Sequence, residues 1–271
     1  MPHNSTKELA HKIRRLSLEM VHRSNSSHIG GVFSSADIIS VLYGAVMTFD
    51  HSAPQWDRRD RFILSKGHCC SGVYAALASM GFFELEKLKD FATFGSELMS
   101  HINHKVSGVE FSTGSLGHGL PFGVGKAFLL QKNKSSARVF VLLSDGELNE
   151  GSNWEALMAA AHFKLDNLII IIDKNNLQSI GTTQQTINLD PLAPKFESFG
   201  LQTLECDGHD HSELFQCFKK NNDPGLVKVI ICNTIKGYPI SFMKNKVEWH
   251  YKSPNHTELV AALDELRSFY A

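Results

Sequence analysis

Continuous apolar runs, separated by segments of helical spacing, dominate the chain. Arg138–Leu143, Leu168–Ile172 and Val227–Cys232 are rich in β-branched residues and show no alternation with polar residues. Such runs are typical of strands that are covered on both faces, as in a parallel sheet. Phe62–Leu64 and Gln202–Cys206 are predicted as two shorter strands. The pattern therefore predicts an α/β fold with a mostly parallel sheet and helices on both faces.

Helical periodicity is clearest near the two ends of the chain, at Ser5–Met20 and His256–Tyr270. Further helices are predicted at Ser34–Val46, Val73–Met80, Leu85–Phe94, Phe122–Leu130, Trp154–Phe163 and Ser212–Lys220. Phe196–Phe199 is predicted as a short helix or a turn. Ser96–Gly119 is rich in Gly, Ser and His and shows no period, and long ordered loops are often functional. There is no internal repeat or break in composition, which predicts a single domain over residues 1–271 with an N-terminal helical and loop region.

Composition narrows the function classes only modestly. Hydrophobic residues make up 42%, charged residues 20%, and the formal net charge is -1, so nothing points to nucleic acid or an anionic membrane. The longest apolar run, Leu168–Ile172, is too short to span a bilayer, and the N-terminus lacks the apolar stretch of a signal peptide. Five cysteines without CxxC spacing disfavour a disulfide framework or zinc ribbon and favour a cytoplasmic protein. Cys69 and Cys70 are interpreted as small buried residues.

Polar residues follow two of the predicted strands. Asp145 and Gly146 come after the Val139 strand, and Asn175 and Leu177 come after the Leu168 strand. Ligands bind beyond the carboxyl ends of the strands in parallel α/β sheets, and two strands joined by one helix are expected to be neighbours. The Asp145 carboxylate, the Asn175 amide oxygen and the Leu177 backbone carbonyl could thus bind Mg²⁺ or Ca²⁺, shared with phosphate oxygens.

This predicted site has a plainer alternative. Asp-Gly after a strand also suits a simple strand-to-helix turn with an N-terminal cap, and Asn175 with Asn176 suits a second turn. The spacing of about 30 residues, with strand, helix and strand in order, favours the metal site. Gly146 would let the backbone approach a bulky anion closely.

Ser144-Asp-Gly-Glu-Leu-Asn-Glu-Gly151, followed by Lys174-Asn-Asn-Leu-Gln178, resembles the thiamine-diphosphate signature. The longer segment from Asp145 to Ala156 is similar in sequence to transketolases rather than to thiamine enzymes in general. Four more stretches carry the same resemblance: Ser26–Gly31, Asp60–His68, Val109–Gly117 and Ser241–His250. The resemblance covers the chain from about Leu9 to Pro254. It implies the PP-type fold, which is the domain of thiamine-diphosphate enzymes that binds the diphosphate group of the cofactor.

The resemblance implies a role for each matching residue. Asp145, Asn175 and the Leu177 carbonyl match metal ligands, Gly146 matches a diphosphate contact, and His68 a histidine that reaches the diphosphate. Residues that match the loop against the aminopyrimidine are Gly114, Ser115 and Leu116. Histidines of the substrate channel are matched by His28, His101 and His250, which suit proton transfer at carbonyl and hydroxyl oxygens. Glu150 matches an acidic residue at an interface between subunits.

Some positions depart from the family pattern. Ser144 replaces the first glycine of the usual Gly-Asp-Gly, which is tolerable if its φ is negative. Ser27 replaces a glycine beside His28, and His118 replaces a frequent glutamine. Tyr238-Pro239 replaces a Lys-Gly pair. These changes bear on substrate preference more than on cofactor binding.

The chain ends at Ala271, before the pyrimidine-binding domain that follows in transketolases. The resemblance therefore implies a split enzyme: a C-terminal transketolase subunit supplies that domain, in an α₂β₂ assembly. The implied reaction transfers a two-carbon ketol unit from a phosphorylated ketose to an aldose, with thiamine diphosphate and Mg²⁺ or Ca²⁺ bound.

Three alternatives remain open at this point. A split transketolase could act on an unusual, branched or sulfonated ketose. The alpha chain of a 2-oxo-acid dehydrogenase is also a separate diphosphate-binding polypeptide, although it should lack the Leu64–His68 and Ser112–Gly117 wording. A non-catalytic paralogue would keep the fold without the activity.

Overall fold

A computed structural model shows a five-stranded sheet in which every strand is parallel to its neighbours. It describes residues 2–270, with the backbone alone for residues 2–4. The strand order is β1-β2-β3-β5-β4. The strands are β1 (Arg61–Leu64), β2 (Val139–Ser144), β3 (Leu168–Lys174), β4 (Gln202–Asp207) and β5 (Lys228–Asn233). The predicted parallel α/β sheet is confirmed.

The α-helices cover the sheet and connect its strands. They are α1 (Pro2–Ser24), α2 (Ile29–Val41), α3 (Cys70–Ser79), α4 (Gly119–Lys132), α5 (Gly151–His162), α6 (Thr183–Ile187), α7 (Leu192–Ser198), α8 (His211–Lys219) and α9 (His256–Tyr270). A single π-helical turn, Leu42–Val46, extends α2. The prediction of one domain over residues 1–271 remains a prediction, and Met1 and Ala271 lie outside the described residues.

Two helix predictions need correction. The helix expected over Leu85–Phe94 is only a 3₁₀ turn, Leu85–Asp90, because Leu88 is its one buried residue and Ala92 takes a positive φ of 56°. The second helix begins at Ile29 rather than Ser34, since its glycines lie inside the packed core. A Cβ added to Gly31 would come within 2.9 Å of Cys69 Sγ. Glycine is what allows that close approach.

Each face of the sheet carries its own apolar core, as the uninterrupted apolar strands predict. Phe140 and Leu142 face α1, α2 and α3, whereas Val141 and Leu143 face α4 and α5. Ile29–Val46 is long and apolar enough to cross a membrane by length and composition, yet 89% of it is buried inside the fold. It is therefore a core helix of this structure.

A buried ion pair links the N-terminal helices. Arg14 on α1 donates to both carboxylate oxygens of Asp37 on α2, at 2.8 and 2.6 Å. His209 Nδ1 and His211 Nε2 reach the same carboxylate at 2.8 and 3.1 Å. The carboxylate thus joins α1 and α2 to the segment after β4.

Candidate functional site

A cavity of about 240 Å³ opens at the carboxyl ends of β2 and β3. These strands pair in register, with Ser144 opposite Asp173, so the residues that follow them share one edge of the sheet. The cavity is lined by most of the predicted site residues, namely His28, His68, His101, Gly114, Leu116, Gly146, Asn175, Leu177 and His250. Segments more than two hundred residues apart in the chain therefore meet at one place.

Four imidazole rings cluster in this cavity. The ring centroid of His28 lies 5.0 Å from that of His68, 5.8 Å from that of His101 and 5.1 Å from that of His250. Burial, assisted by neighbouring cations and rings, lowers the pKa of His28 to about 4 and that of His250 to about 3. Burial also lowers the pKa of His68 and of His101. At pH 7 each ring is neutral and offers one donor and one acceptor.

His28 is held by unusual backbone geometry at the start of α2. Its φ is 75°, in the left-handed region that non-glycine residues seldom adopt. The His28 backbone N–H donates to the His250 carbonyl at 2.9 Å. Ser27 Oγ lies 3.0 Å from His28 Nδ1, so the serine that departs from the family pattern orients this ring.

Lys66, one of the residues lining the cavity, belongs to a buried ion pair that the sequence patterns did not predict. Lys66, 1% exposed, donates to the Asp173 carboxylate and, at 3.2 Å, to the Gly31 carbonyl. Burial alone would lower the pKa of Lys66, but the Asp173 carboxylate raises it above its ordinary value. Asp173 also accepts hydrogen bonds from Ser34 and Thr234. Lys66 lies within the Asp60–His68 motif, and this membership was the only indication in the sequence that Lys66 belongs to the site.

A second lysine, Lys236, was also missed. Its Nζ lies 3.0 Å from His250 Nδ1 and 3.4 Å from the Leu177 carbonyl. Burial, followed by repulsion from Lys66, lowers the pKa of Lys236 to about 8. Two lysines therefore face this cavity, and Asp173 pairs directly with Lys66. The arrangement favours an anionic ligand.

The predicted metal ligands lie on adjacent loops. Asp145 accepts from the backbone N–H of Asn176 at 2.5 Å and of Gly146 at 2.8 Å, which ties the two loops together. Asn175 and Leu177 line the cavity, while Asp145 borders a small recess beside it. The loops that carry Asp145 and Asn175 thus lie side by side at one edge of the sheet.

This donor set suits a hard divalent cation. One carboxylate, one amide oxygen and one carbonyl are the oxygen ligands that such ions share with phosphate. Burial, followed by repulsion from Asp173, raises the pKa of Asp145 to about 6. A cation beside Asp145 would relieve that repulsion. Among the side chains that the structure describes, those of residues 5–270, no group of three or more His, Cys, Asp or Glu could hold a metal ion.

Glu147 holds the Gly114–Gly117 loop against the end of β2. Its buried carboxylate accepts from the backbone N–H of Gly117 at 3.0 Å and of Ser144 at 3.3 Å. Gly114 and Leu116 therefore line the cavity, but Ser115 is exposed and is not among the described lining residues. Glu147 lies within the Ser144–Gly151 motif, but the sequence alone gave no indication of this structural role.

Some sequence predictions concern residues other than the predicted site residues, and the structure agrees with two of them. Ser144 ends β2 and does not appear among the described residues with positive φ, which agrees with the condition set for it. Cys69 and Cys70 are buried and unpaired with other cysteines, as predicted. Glu150 is an exposed residue at the N-terminal cap of α5, and its interface role remains a prediction. The roles assigned to the site residues also remain predictions.

A parallel α/β domain with an anion-favouring cavity and a divalent-cation donor set at the strand ends defines a diphosphate-binding class of protein. The chain matches the family "Transketolase, thiamine diphosphate binding domain" over residues 5–266. It therefore belongs to the transketolase family, as its sequence motifs indicated.

Several relatives are similar over nearly their whole length. An apulose-4-phosphate transketolase subunit from Actinobacillus succinogenes is 41% identical, over 98% of this chain and 99% of that protein. A 6-deoxy-6-sulfo-D-fructose transketolase subunit from a Clostridium species is 36% identical, over 95% of this chain and 94% of the relative. These names do not support the 2-oxo-acid dehydrogenase alternative.

Solved transketolases share the fold but are longer. Transketolase from Leishmania mexicana superposes with a TM-score of 0.91 at 28% identity, covering 97% of this chain and 41% of that one. Transketolase from Campylobacter jejuni gives a TM-score of 0.91 at 29% identity, covering 97% and 42%. The chain thus spans about two fifths of the length of these enzymes.

Proposed function

We propose that this chain is the diphosphate-binding subunit of a two-chain transketolase. With thiamine diphosphate bound, the assembly transfers a two-carbon ketol unit from a phosphorylated ketose to an aldose. The observation that carries the proposal is the cavity itself, which is lined by four neutral imidazoles, by Lys66 of the Lys66–Asp173 pair, and by Asn175 and Leu177. Asp145 lies on the adjoining loop, which a hydrogen bond ties to the loop of Asn175. Relatives of about the same length that are named as transketolase subunits support the two-chain form.

The residues divide between anchoring and proton handling. Asp145, Asn175 and the Leu177 carbonyl would hold Mg²⁺ or Ca²⁺. His68 and the Gly146 backbone would contact the diphosphate. The thiazolium of the cofactor supplies carbanion stabilisation when it is bound. His28, His101 and His250 would then donate to and accept from substrate oxygens, as neutral imidazoles can at pH 7.

The proposed partner is a C-terminal transketolase subunit that carries the pyrimidine-binding domain, in an α₂β₂ heterotetramer. Relatives that this chain matches over nearly their whole length are named as transketolase subunits, which is the reason for expecting a second chain. We also propose a cytoplasmic location, supported by five cysteines that remain free in the fold. The pentose phosphate pathway is the simplest metabolic setting.

The decisive experiment co-expresses the chain with a candidate partner subunit that carries the pyrimidine-binding domain and measures ketol transfer in a coupled assay. Donors should include a pentulose phosphate, apulose 4-phosphate and 6-deoxy-6-sulfo-D-fructose, because relatives are named for the last two sugars. We expect activity that needs both chains, thiamine diphosphate and a divalent metal. Asp145→Ala should abolish it, while Asp264→Ala, an exposed change on α9, should not. Turnover by this chain alone would contradict the proposal, and so would an assembled complex inactive with every donor.

A further inference from the structure

Tyr251 is an exposed aromatic residue at the outer edge of the histidine cavity. Its ring centroid lies 4.7 Å from that of His250 and 5.8 Å from that of His28, edge-on to both. The residue is nevertheless 65% exposed, whereas the four imidazoles are only partly so. Tyr251 is therefore the outermost side chain of the ring cluster.

The backbone fixes the place of Tyr251. Its N–H donates to the Glu248 carbonyl at 3.1 Å, which ends the 3₁₀ turn Val247–His250. Within that turn Trp249 is 1% exposed and donates through Nε1 to the Phe242 carbonyl at 3.2 Å. The buried tryptophan anchors the turn, so Tyr251 is presented from a rigid support, as a recognition residue needs to be.

The phenol hydroxyl is uncommitted. Among the described side chains, those of residues 5–270, none forms a hydrogen bond with Tyr251, while Lys236 already binds His250 and Ser27 binds His28. The Tyr251 ring can thus pack against a ligand through its apolar face or edge, and its hydroxyl can donate or accept a hydrogen bond. Sugars offer both a C–H surface and hydroxyl groups to such a side chain.

We propose, on the basis of the proposed function, that Tyr251 is a specificity-determining residue for the sugar tail of the substrate. All donors of a transketolase deliver the same two-carbon unit, so the residues deep in the cavity meet the same atoms whichever donor binds. Donors differ in the carbons beyond the broken bond, which must extend toward the mouth. Tyr251 lies at that mouth, where it contacts those carbons in the ketose phosphate and in the aldose acceptor.

The test compares two donors in the assembled two-chain enzyme. One is the ketose phosphate that the wild type uses best, and the other is hydroxypyruvate, which delivers the two-carbon unit but has no sugar tail. Tyr251→Ala should raise KM for the ketose phosphate about tenfold, equivalent to about 1.4 kcal/mol of lost binding. The kcat with either donor and the KM for hydroxypyruvate should stay within about twofold. Tyr251→Phe separates ring packing from hydrogen bonding.

Phe94→Ala is the matched control, because Phe94 is fully exposed and lies outside the cavity lining. It should keep both wild-type KM values. Equal changes for the two donors in Tyr251→Ala, or no change for either, would overturn the specificity role. If the wild-type assembly transfers no ketol unit from any donor, the proposed function fails and this inference fails with it. If the wild-type assembly is active and the Tyr251 variants keep the wild-type KM for both donors, this inference is rejected while the proposed function stands.

Discussion

Lys236 Nζ lies 3.0 Å from His250 Nδ1. A protonated lysine has only donors, so His250 accepts at Nδ1 and carries its own proton on Nε2. The same ammonium group reaches the carbonyls of Leu177 and Gln178 at 3.4 Å. One buried cation therefore sets the tautomer of a predicted catalytic histidine and joins its turn to the loop after β3.

Replacing Lys236 by methionine should raise the pKa of His250. Burial is the largest cause of its low value of about 3, and repulsion from Lys236 is the next, so the rise is partial. Imidazole NMR titration of the variant would measure it. Lys244→Met, which removes a lysine that lies over the Tyr238 ring instead, should leave the His250 titration unchanged. An unaltered pKa in Lys236→Met would show that the contact does not act on His250.

Ser27→Ala should release the His28 ring from its orientation. The hydrogen bond at 3.0 Å is worth about 1 kcal/mol, which corresponds to about a fivefold loss in kcat if His28 must be aligned. Ser27→Thr keeps the hydroxyl and should restore the rate. The ¹⁵N chemical shifts of the His28 ring report its tautomer directly. Identical shifts in the wild type and in Ser27→Ala would show that Ser27 does not control the state of the His28 ring.

Lys66→Met should destabilise the fold strongly. It leaves the Asp173 carboxylate buried, with hydroxyl and amide partners but without its cation, and breaking such a pair costs about 3–5 kcal/mol. Urea unfolding would measure the loss. Asp173→Asn in the same background should recover part of it, because the uncompensated charge disappears. A cost below about 1 kcal/mol, as for a surface pair such as Lys87–Glu97, would refute the structural role of the pair.

Asp37 should contribute stability that depends on pH. Burial alone would raise its pKa, but the Arg14 guanidinium and the hydrogen bonds from Arg14, His209 and His211 hold it well below the ordinary value of 3.8. The unfolded state then binds the proton more readily, so this contribution is full above about pH 4 and declines as the pH falls further. The difference in unfolding free energy between wild type and Asp37→Asn should therefore shrink on acidification below about pH 4. A difference that stays constant as the pH falls from neutral to about 3 would contradict this account, and Asp264→Asn, at an exposed pair, serves as the control.

The motifs by themselves indicate that the two loops carrying the predicted metal ligands are neighbours, as the structure shows. Asp145 follows one apolar run and Asn175 the next, and a single helical connection between parallel strands makes the two loops neighbours. Other parts were not accessible in this way. The helix start at Ile29 depended on Gly30 and Gly31 packing against other segments, and a pair of glycines by itself equally predicts a loop.

What the sequence alone determined is the local and periodic part: uninterrupted apolar strands, their parallel arrangement, and a set of motifs specific enough to assign the family. The tertiary structure decided which polar groups meet. Lys66 reaches Asp173 across 107 residues, and His209 reaches Asp37 across 172. Hydrophobic periodicity is a property of neighbouring positions, whereas a buried charge finds its partner only where packing brings distant segments together, and burial is what makes that pairing necessary.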